Sequence, residues 1–389
     1  MKDKQMAIIF DDNIQMVDLQ TQYRRLKHEI DAAIQEVLAG AQFINGPQVK
    51  AFATHLAQYL DIPHVIPCAN GTDALQIALM SLNLPQGEEV IVPAFNYVAA
   101  AETVAMLGLT PVLVDVTADT FTMDVSKIEQ AISRHTKVII PVHLFGLACD
   151  MGAVMRIAEK YNLYVIEDNA QSMGATYTHP SGRTKHAGTI GHISTTSFFP
   201  SKPLACYGDG GAMMTADDTL AKRLYMIANH GQEKKYRHKI IGCNSRLDTL
   251  QAAILHVKLN HLTEFNQARM QVAERYNEAF SQLPDVVTPY KPAYTSHIYH
   301  QYTIQVKNGK RNALQAWLKE RKVPSTIYYP TSLDKQEAFR VYARKAGSLE
   351  VAGRLTQTVL SLPIHTEMRA YEQEYIIGQV MDFFKKNER

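Results

Sequence analysis

The amino-acid sequence predicts an α/β protein whose large domain contains a mostly parallel, seven-stranded sheet covered by helices. The main observation is an alternation along the chain, in which helical patterns separate most of seven short apolar runs, at 64–67, 90–92, 112–114, 138–140, 164–166, 194–199 and 212–214. Runs of this kind are typical of parallel strands that are buried on both faces. The second observation is a change of pattern after residue 262, which predicts a smaller α+β unit.

Predicted helices set the bounds of the large domain. The first is amphipathic, with apolar positions at Tyr23, Leu26, Ile30, Ile34, Val37 and Leu38. Gly46-Pro47 ends this stretch and begins a second helix. A long helix is predicted near 249–262, and we therefore divide the chain into a tail at 1–16, a large domain at 17–262 and a small C-terminal domain at 263–389.

The small domain is predicted from four segments: a strand at 302–306, a helix at 312–322, a β-like run at 327–329 and a last helix at 372–385. At 389 residues, the chain is too long for one ordinary core. A large domain followed by a smaller one is the division that its length favours.

Composition excludes several classes of function. The 40 basic and 38 acidic residues leave a net charge of +2, so no basic footprint for nucleic acid is expected. The four cysteines have no regular spacing, which predicts neither a metal site nor a disulfide framework and fits a reducing cytoplasm. The apolar run at 6–10 is too short for a signal peptide, and no window reaches the ~20 apolar residues of a membrane span.

Lys202 is the first candidate for catalysis. It lies in a proline-bounded turn directly after the run 194–199, and a glycine-rich bend follows at 207–211. A lysine so placed is suited to hold an aldehyde cofactor as a Schiff base, although most lysines in loops are only surface residues. A second strand-like run ends in Asp168, and ligands of open α/β sheets bind at such carboxyl ends.

Asn70 precedes Gly71 and Thr72 as the expected N-cap of a helix that follows a strand. The free N–H groups and the dipole of such a helix start favour a phosphate. An ordinary capped helix remains the alternative for this motif alone.

Four motifs together resemble the DegT/DnrJ/EryC1/StrS family of sugar aminotransferases, from about Val17 to the C-terminus: Asn70 to Leu75, Glu167 to Ser172, Ser197 to Lys202, and Gly242 to Asp248. The resemblance implies the fold type I scaffold with pyridoxal 5′-phosphate (PLP) and its amino form (PMP) as cofactor. Within the family, the segment around Lys202 is most similar to that of UDP-2-acetamido-2-deoxy-ribo-hexuluronate aminotransferases, which act on a 3-keto sugar.

The resemblance also implies a role for each site residue. Lys202 and Asp168 are the catalytic residues, and Asp168 faces the ring nitrogen of the cofactor. The other cofactor-binding positions are Gly71, Thr72, Ser197 and Asn244 at the phosphate, Gln171 at the 3-hydroxyl and Tyr97 on the ring face. In the family, Asn244 and Arg246 act in the neighbouring subunit's site, which implies a homodimer with shared active sites, and Arg246 serves the substrate.

The substrate side departs from the family pattern. Tyr328 replaces a histidine, Ser332 a proline, and Asp334 a histidine or asparagine, while Tyr329 keeps its place. We expect Tyr328 and Tyr329 to contact the substrate, and the departures leave the identity of the sugar open. No chemistry is assigned to His143, His230 or His365, since histidines beside strands and helices are more often structural.

The expected reaction is transfer of an amino group from L-glutamate to a keto nucleotide sugar. The first candidate substrate is UDP-2-acetamido-3-keto-glucuronate. The reaction is expected to belong to the synthesis of surface polysaccharide such as O-antigen. A 4-keto-6-deoxy nucleotide sugar is the alternative substrate. A non-catalytic regulator of the same fold is the rival class, since fold alone does not determine function. The related PLP sugar dehydratases carry histidine at the position of Lys202, which argues against that activity.

Overall fold

The computed structural model describes residues 14–386. The predicted tail at 1–16 therefore lies outside the described residues, apart from its last three positions. The helices are α1 (Leu19–Gly40), α2 (Pro47–Leu60), α3 (Gly71–Ser81), α4 (Ala99–Met106), α5 (Ile128–Ala131), α6 (Met151–Tyr161), α7 (Asp218–Ala228), α8 (Thr249–Asn260), α9 (Leu262–Phe280), α10 (Arg311–Glu320), α11 (Glu350–Thr358) and α12 (Ala370–Lys386).

The strands of the large sheet are β1 (His64–Cys68), β2 (Glu89–Pro93), β3 (Thr110–Val114), β4 (Thr136–Ile139), β5 (Tyr164–Asp168), β8 (Ile193–Ser197), β9 (Gly211–Thr215) and β14 (Arg344–Lys345). The others are β6 (Thr176–Thr178), β7 (Thr184–His186), β10 (Gln232–Lys234), β11 (Arg237–His238), β12 (Val286–Val287), β13 (Tyr302–Val306) and β15 (Val359–Leu362).

The large sheet has eight strands in the order β1-β9-β8-β5-β4-β2-β3-β14. β9 is antiparallel to both of its neighbours, and the other pairs are parallel. All seven strands expected in this sheet are present, so the predicted fold class is confirmed. The eighth strand, β14, was not predicted, because its two residues come from far along the chain. It is held where Arg344 donates two hydrogen bonds to the Glu89 carboxylate at the start of β2.

Helices cover both faces of this sheet, because its strands are apolar on both sides. One core lies between the sheet and α3, α4, α7 and α11. A second core packs α6 on the opposite face, and a third packs α2 and α8 against β9. Of the helices in residues 14–386, none is long and apolar enough to cross a membrane.

The chain after residue 262 has a core of its own and also contributes to the cores of the large sheet. Helices α9, α10 and α12 pack on a three-stranded sheet, β12-β13-β15, around Tyr276 and Tyr302. Helix α11 instead packs on the large domain, where the Asp115 carboxylate accepts hydrogen bonds from the N–H groups of Val351 and Ala352. The proposed boundary between the domains stays a prediction.

The run at 327–329 is not a strand, contrary to expectation. Thr326 makes a single bridge to Ser361, and the pairing stops there. The next side chains turn toward the end of the large sheet, where Tyr329 packs against Phe95. The aromatic side chains of the run 327–329 therefore pack across the site, and the run does not form the β-strand that its local pattern predicts.

Candidate active site

The start of α3 lies against the end of β8. Asn70 Oδ1 accepts a hydrogen bond from the Asp73 N–H at 2.8 Å, so the predicted N-cap is present. A Cβ on Gly71 would lie 2.7 Å from Ser197 Cβ, and a Cβ on Gly211 would lie 2.4 Å from the carbonyl oxygen of Asn70. Both glycines are thus needed for this close approach. It brings the Ser197 hydroxyl beside the first N–H groups of the helix, at Gly71 and Thr72, which have no intrahelical acceptor.

Lys202 lies five residues beyond Ser197 in a turn that its N–H closes on the Phe199 carbonyl at 2.8 Å. Burial lowers the pKa of the Lys202 ammonium to about 8, although the charge of Asp168 opposes the shift. A substantial fraction of this lysine is therefore neutral amine near pH 8. That is the form in which a lysine attacks a carbonyl.

Asp168 is the last residue of β5 and is buried. Burial raises the pKa of its carboxyl, while the Ala170 N–H, which donates to Oδ1 at 3.1 Å, and the charge of Lys202 lower it. The structure therefore brings Lys202 and Asp168, the two predicted catalytic residues, within electrostatic reach of each other at one edge of the sheet.

Gln171 has a defined orientation in the site. The Phe145 N–H donates to its Oε1 at 2.7 Å, and because a main-chain N–H can only donate, the amide cannot be turned the other way. Its Nε2 donates to the Tyr329 hydroxyl at 3.2 Å. One hydrogen bond thus joins Gln171, a predicted cofactor-binding residue, to Tyr329, a predicted substrate-binding residue.

Tyr329 is the centre of an aromatic cluster. Its ring lies 5.9 Å from Phe95, 6.5 Å from Phe145, 6.4 Å from Tyr97 and 5.9 Å from Tyr328, measured between ring centroids. Burial raises the pKa of the Tyr329 phenol, which is therefore neutral and able to donate a hydrogen bond. Tyr97 is 57% exposed, so its ring face is accessible at the edge of this cluster.

Asn244 and Arg246 lie in the loop before α8. Between them, Ser245 is buried, donates to the Asp73 carboxylate at 2.6 Å and accepts from the Ala69 N–H at 3.0 Å. Ser245 therefore fixes this loop beside the start of α3. Asn244 is exposed and Arg246 half-buried. The sequence did not single out Ser245, which has no signal apart from its place between the two predicted residues.

Two of the substrate-side departures, Ser332 and Asp334, are connected to each other. Ser332 Oγ donates to Asp334 Oδ1 at 2.6 Å, and Lys345 Nζ lies 2.9 Å from Asp334 Oδ2. Leu333 N–H donates to the Ala94 carbonyl at 2.9 Å, which attaches this segment to the end of β2. Asp334 is thus bonded within the chain.

A sequence model of the DegT/DnrJ/EryC1/StrS aminotransferase family matches residues 24–381. The chain belongs to this family. A UDP-2-acetamido-2-deoxy-3-oxo-D-glucuronate aminotransferase of Pseudomonas aeruginosa is 46% identical over 352 residues, which are 90% of this chain and 95% of that protein. The predicted family and the predicted enzyme class, an aminotransferase, are confirmed.

Solved structures of the family agree with the fold. A DegT DnrJ EryC1 StrS aminotransferase from Brucella abortus is 42% identical with a TM-score of 0.91, and the match covers 95% of this chain and 99% of that one. The structure of ntda from Bacillus subtilis, with bound cofactor PMP, is 30% identical with a TM-score of 0.86, over 95% of this chain and 83% of that one.

His143 is the main feature of this aminotransferase site that sequence reasoning missed. It is fully buried, and its Nε2 lies 2.8 Å from Oε2 of Glu167, the residue before Asp168. The available signal was its position a few residues after β4, a buried strand that neighbours β5. A histidine there has no mark in the sequence that separates it from an ordinary structural one.

Proposed function

We propose that this aminotransferase uses PLP to move an amino group from L-glutamate to the 3-keto group of UDP-2-acetamido-3-keto-glucuronate. The observation that carries the chemistry is the position of Lys202, whose ammonium pKa is lowered to about 8, within electrostatic reach of the buried Asp168 at the carboxyl edge of the sheet. The sugar is proposed from the relative with 46% identity, whose name specifies a 3-oxo-glucuronate.

The residues present fit this cofactor. The glycine-dependent contact between Gly71 and Ser197 forms an anion cradle at a helix start, which suits a phosphate. We assign Gly71, Thr72 and Ser197 to the phosphate, Gln171 to the 3-hydroxyl, Tyr97 to the ring face and Asp168 to the ring nitrogen. When bound, PLP supplies an electron sink for the carbon from which a proton is removed.

The protein's own groups move and hold the protons. Lys202 Nζ, as a neutral amine, takes the proton from the α-carbon of glutamate and in the return half-reaction delivers a proton to the sugar side. Asp168 Oδ holds a proton on the ring nitrogen by charge, because a carboxylate beside that nitrogen favours its protonated form. The buried aromatic rings around Tyr329 keep water from this edge of the site.

Arg246 is proposed to bind a carboxylate or the diphosphate of the substrate, since a guanidinium can bind either with two parallel hydrogen bonds. Tyr328 and Tyr329 are proposed to contact the sugar. Asn244 and Arg246 would serve the neighbouring subunit of a homodimer, with Asn244 at the cofactor phosphate. Surface-polysaccharide synthesis in a reducing cytoplasm stays a prediction.

The test is a substrate panel. Purified protein receives glutamate and, separately, UDP-3-keto, UDP-4-keto and dTDP-4-keto sugars, and release of 2-oxoglutarate is followed. We expect the UDP-3-keto uronate to give the largest kcat/KM, and Lys202→Ala protein is the control for non-enzymatic transfer. Preferential turnover of a 4-keto-6-deoxy sugar would replace the proposed substrate with the alternative.

A further inference from the structure

The Gln171 amide is held by two hydrogen bonds, one from the main chain and one to a side chain. Its Oε1 accepts from the Phe145 N–H at 2.7 Å, and its Nε2 donates to the Tyr329 hydroxyl at 3.2 Å. A primary amide has two N–H donors, and the second N–H of Gln171 has no acceptor within residues 14–386. Because the amide is planar, the two bonds also fix where this second N–H points.

The main-chain donor to Gln171 lies in a strained turn. Phe145 has φ 58° and ψ 10°, in the left-handed region that a bulky residue rarely adopts, and Gly146 follows with φ 102°. A Cβ on Gly146 would lie 2.7 Å from the main-chain nitrogen of His300, so this close approach requires glycine. Strained backbone persists only where the surrounding structure holds it, and it is concentrated at functional sites. The turn directs the Phe145 N–H at Gln171.

The side-chain acceptor is held by packing. The Tyr329 ring lies 5.9 Å from the Phe95 ring and 6.5 Å from the Phe145 ring, measured between centroids. Four residues further along, the Leu333 N–H donates to the Ala94 carbonyl at 2.9 Å and attaches the segment to the end of β2. The position of the Tyr329 hydroxyl is therefore set by these contacts, and Gln171 bonds to an acceptor that is already in place.

Gln171 and Tyr329 lie beside Asp168, the residue assigned to the ring nitrogen of the cofactor. Gln171 follows Asp168 by three residues, and both are buried. Burial raises the pKa of the Tyr329 phenol, the bond from Gln171 lowers it, and the nearby charge of Asp168 raises it. The phenol therefore keeps its proton and accepts the bond from Gln171 as a neutral group.

We propose that Tyr329 is a positioning residue for the cofactor, which by accepting a hydrogen bond from Gln171 turns the second Gln171 N–H toward the 3-hydroxyl oxygen of PLP. This role is additional to the contact with the sugar, and it rests on the proposed assignment of Gln171 to the 3-hydroxyl. Without the Tyr329 hydroxyl, Gln171 keeps only its bond to Phe145, and its amide can rotate about that bond. The hydrogen bond to the 3-hydroxyl is then weaker.

The experiment compares two affinities of the apoprotein at one pH, for PLP and for 3-deoxypyridoxal 5′-phosphate, in the absence of sugar and glutamate. The two compounds differ only in the 3-hydroxyl, so both carry the groups that Lys202, Asp168 and the phosphate cradle contact. The ratio of their dissociation constants measures the preference for the 3-hydroxyl. Any effect of this hydroxyl on the link to Lys202 is the same in every variant and cancels when the ratios are compared.

Gln171→Ala should lower the preference for PLP about tenfold, because it removes the donor, and Tyr329→Phe should lower it about threefold, because the amide keeps one of its two bonds. In the double variant the loss should equal that of Gln171→Ala alone, since Tyr329 acts through the amide. Independent effects would multiply to about thirtyfold, and that result would contradict the proposal.

Tyr328→Phe is the matched control. It removes the same hydroxyl from a neighbouring ring, 5.9 Å from the Tyr329 ring, whose oxygen makes no hydrogen bond to Gln171 within residues 14–386. The ratio should keep its wild-type value in this variant. If Tyr329→Phe weakens the binding of both compounds equally, Tyr329 only packs in the cluster and the proposal is wrong.

The result for Gln171→Ala separates this proposal from the proposed function. If Gln171→Ala keeps the wild-type ratio, Gln171 does not bind the 3-hydroxyl, and that assignment fails together with the role of Tyr329. If Gln171→Ala lowers the ratio and Tyr329→Phe does not, the assignment of Gln171 stands and only the positioning role is overturned.

Discussion

The cofactor side of the site, at Asp168 and Gln171, differs sharply from the loop that carries Asn244 and Arg246. Asp168 and Gln171 are buried and bonded to main chain from their own subunit. Asn244 is exposed, and nearby Ile241 and Tyr236 are 86% and 81% exposed. One chain therefore positions Asp168 and Gln171 by itself, whereas apolar side chains around the loop that carries Asn244 and Arg246 face water in a single chain.

This difference indicates which parts of the site depend on the association of two subunits. Exposed apolar residues beside a predicted substrate loop are typical of surfaces that another chain covers. This supports the proposed homodimer with shared sites, in which each subunit contributes the loop to its partner. Substitutions at Asp168 or Gln171 should then affect the site of the subunit that carries them. Substitutions at Asn244 or Arg246 should affect the site of the partner subunit.

The largest expected effect is at Lys202. Lys202→Ala should abolish turnover and the borohydride-reducible link to PLP, because no other amine occupies that position. The matched control is Lys258→Met, which removes another buried lysine whose burial lowers its pKa to about 8. Absorbance after borohydride treatment measures the link. Transamination that survives in Lys202→Ala protein would contradict the assignment.

Asp168→Asn should retain cofactor but lose about 3 kcal/mol of transition-state stabilisation, on the order of a hundred-fold in kcat. The amide has the same size but no charge to hold the ring proton. Steady-state kinetics together with cofactor content measure the effect. A kcat close to that of the wild type would mean that another group pairs with the ring nitrogen.

Mixing two inactive variants tests the substrate loop. Lys202→Ala and Arg246→Ala subunits, mixed equally and exchanged, should recover activity at about a quarter of the sites, because half of the dimers are mixed and each has one intact site. The control is each variant alone after the same exchange. Mixed dimers that form and stay inactive would show that Arg246 acts only within its own subunit.

The smallest effect is on stability and concerns the buried Lys258. The pKa of Lys258 is about 8 in the folded chain, below the ordinary value of 10.5. The unfolded chain therefore binds more protons between pH 8 and 10.5, so this lysine costs stability at low pH, and the cost disappears as pH rises through that window.

Lys258→Met should accordingly raise the free energy of unfolding by about 2 kcal/mol at pH 7 and by much less at pH 10.5. Urea denaturation at both pH values measures the difference. The Lys258 ammonium lies 4.6 Å from the centre of the Tyr207 ring, and loss of that contact is included in the expected value. Equal changes at both pH values would show that folding does not lower the pKa of Lys258.

The order of helices and strands was largely predictable, because it depends on local periodicity. The seven apolar runs of the large sheet and the N-cap at Asn70 follow from neighbouring residues alone. The run at 327–329 was misjudged, since its aromatic side chains pack against the site. Strand β14 was missed because two residues carry no periodic signal, and its place depends on the distant Glu89.

By itself, the sequence determined the α/β fold class, the family and the candidates Lys202 and Asp168, which local motifs at strand ends identify. Tertiary structure alone decided that Gln171 bonds Tyr329, which is 158 residues away, and that His143 bonds Glu167, which is 24 residues away. The physical reason is that hydrogen bonds and burial depend on which strand ends meet at one edge of the sheet. The number of residues between two strands does not show whether their ends are neighbours in the sheet, because the chain makes a helical crossover between one parallel strand and the next.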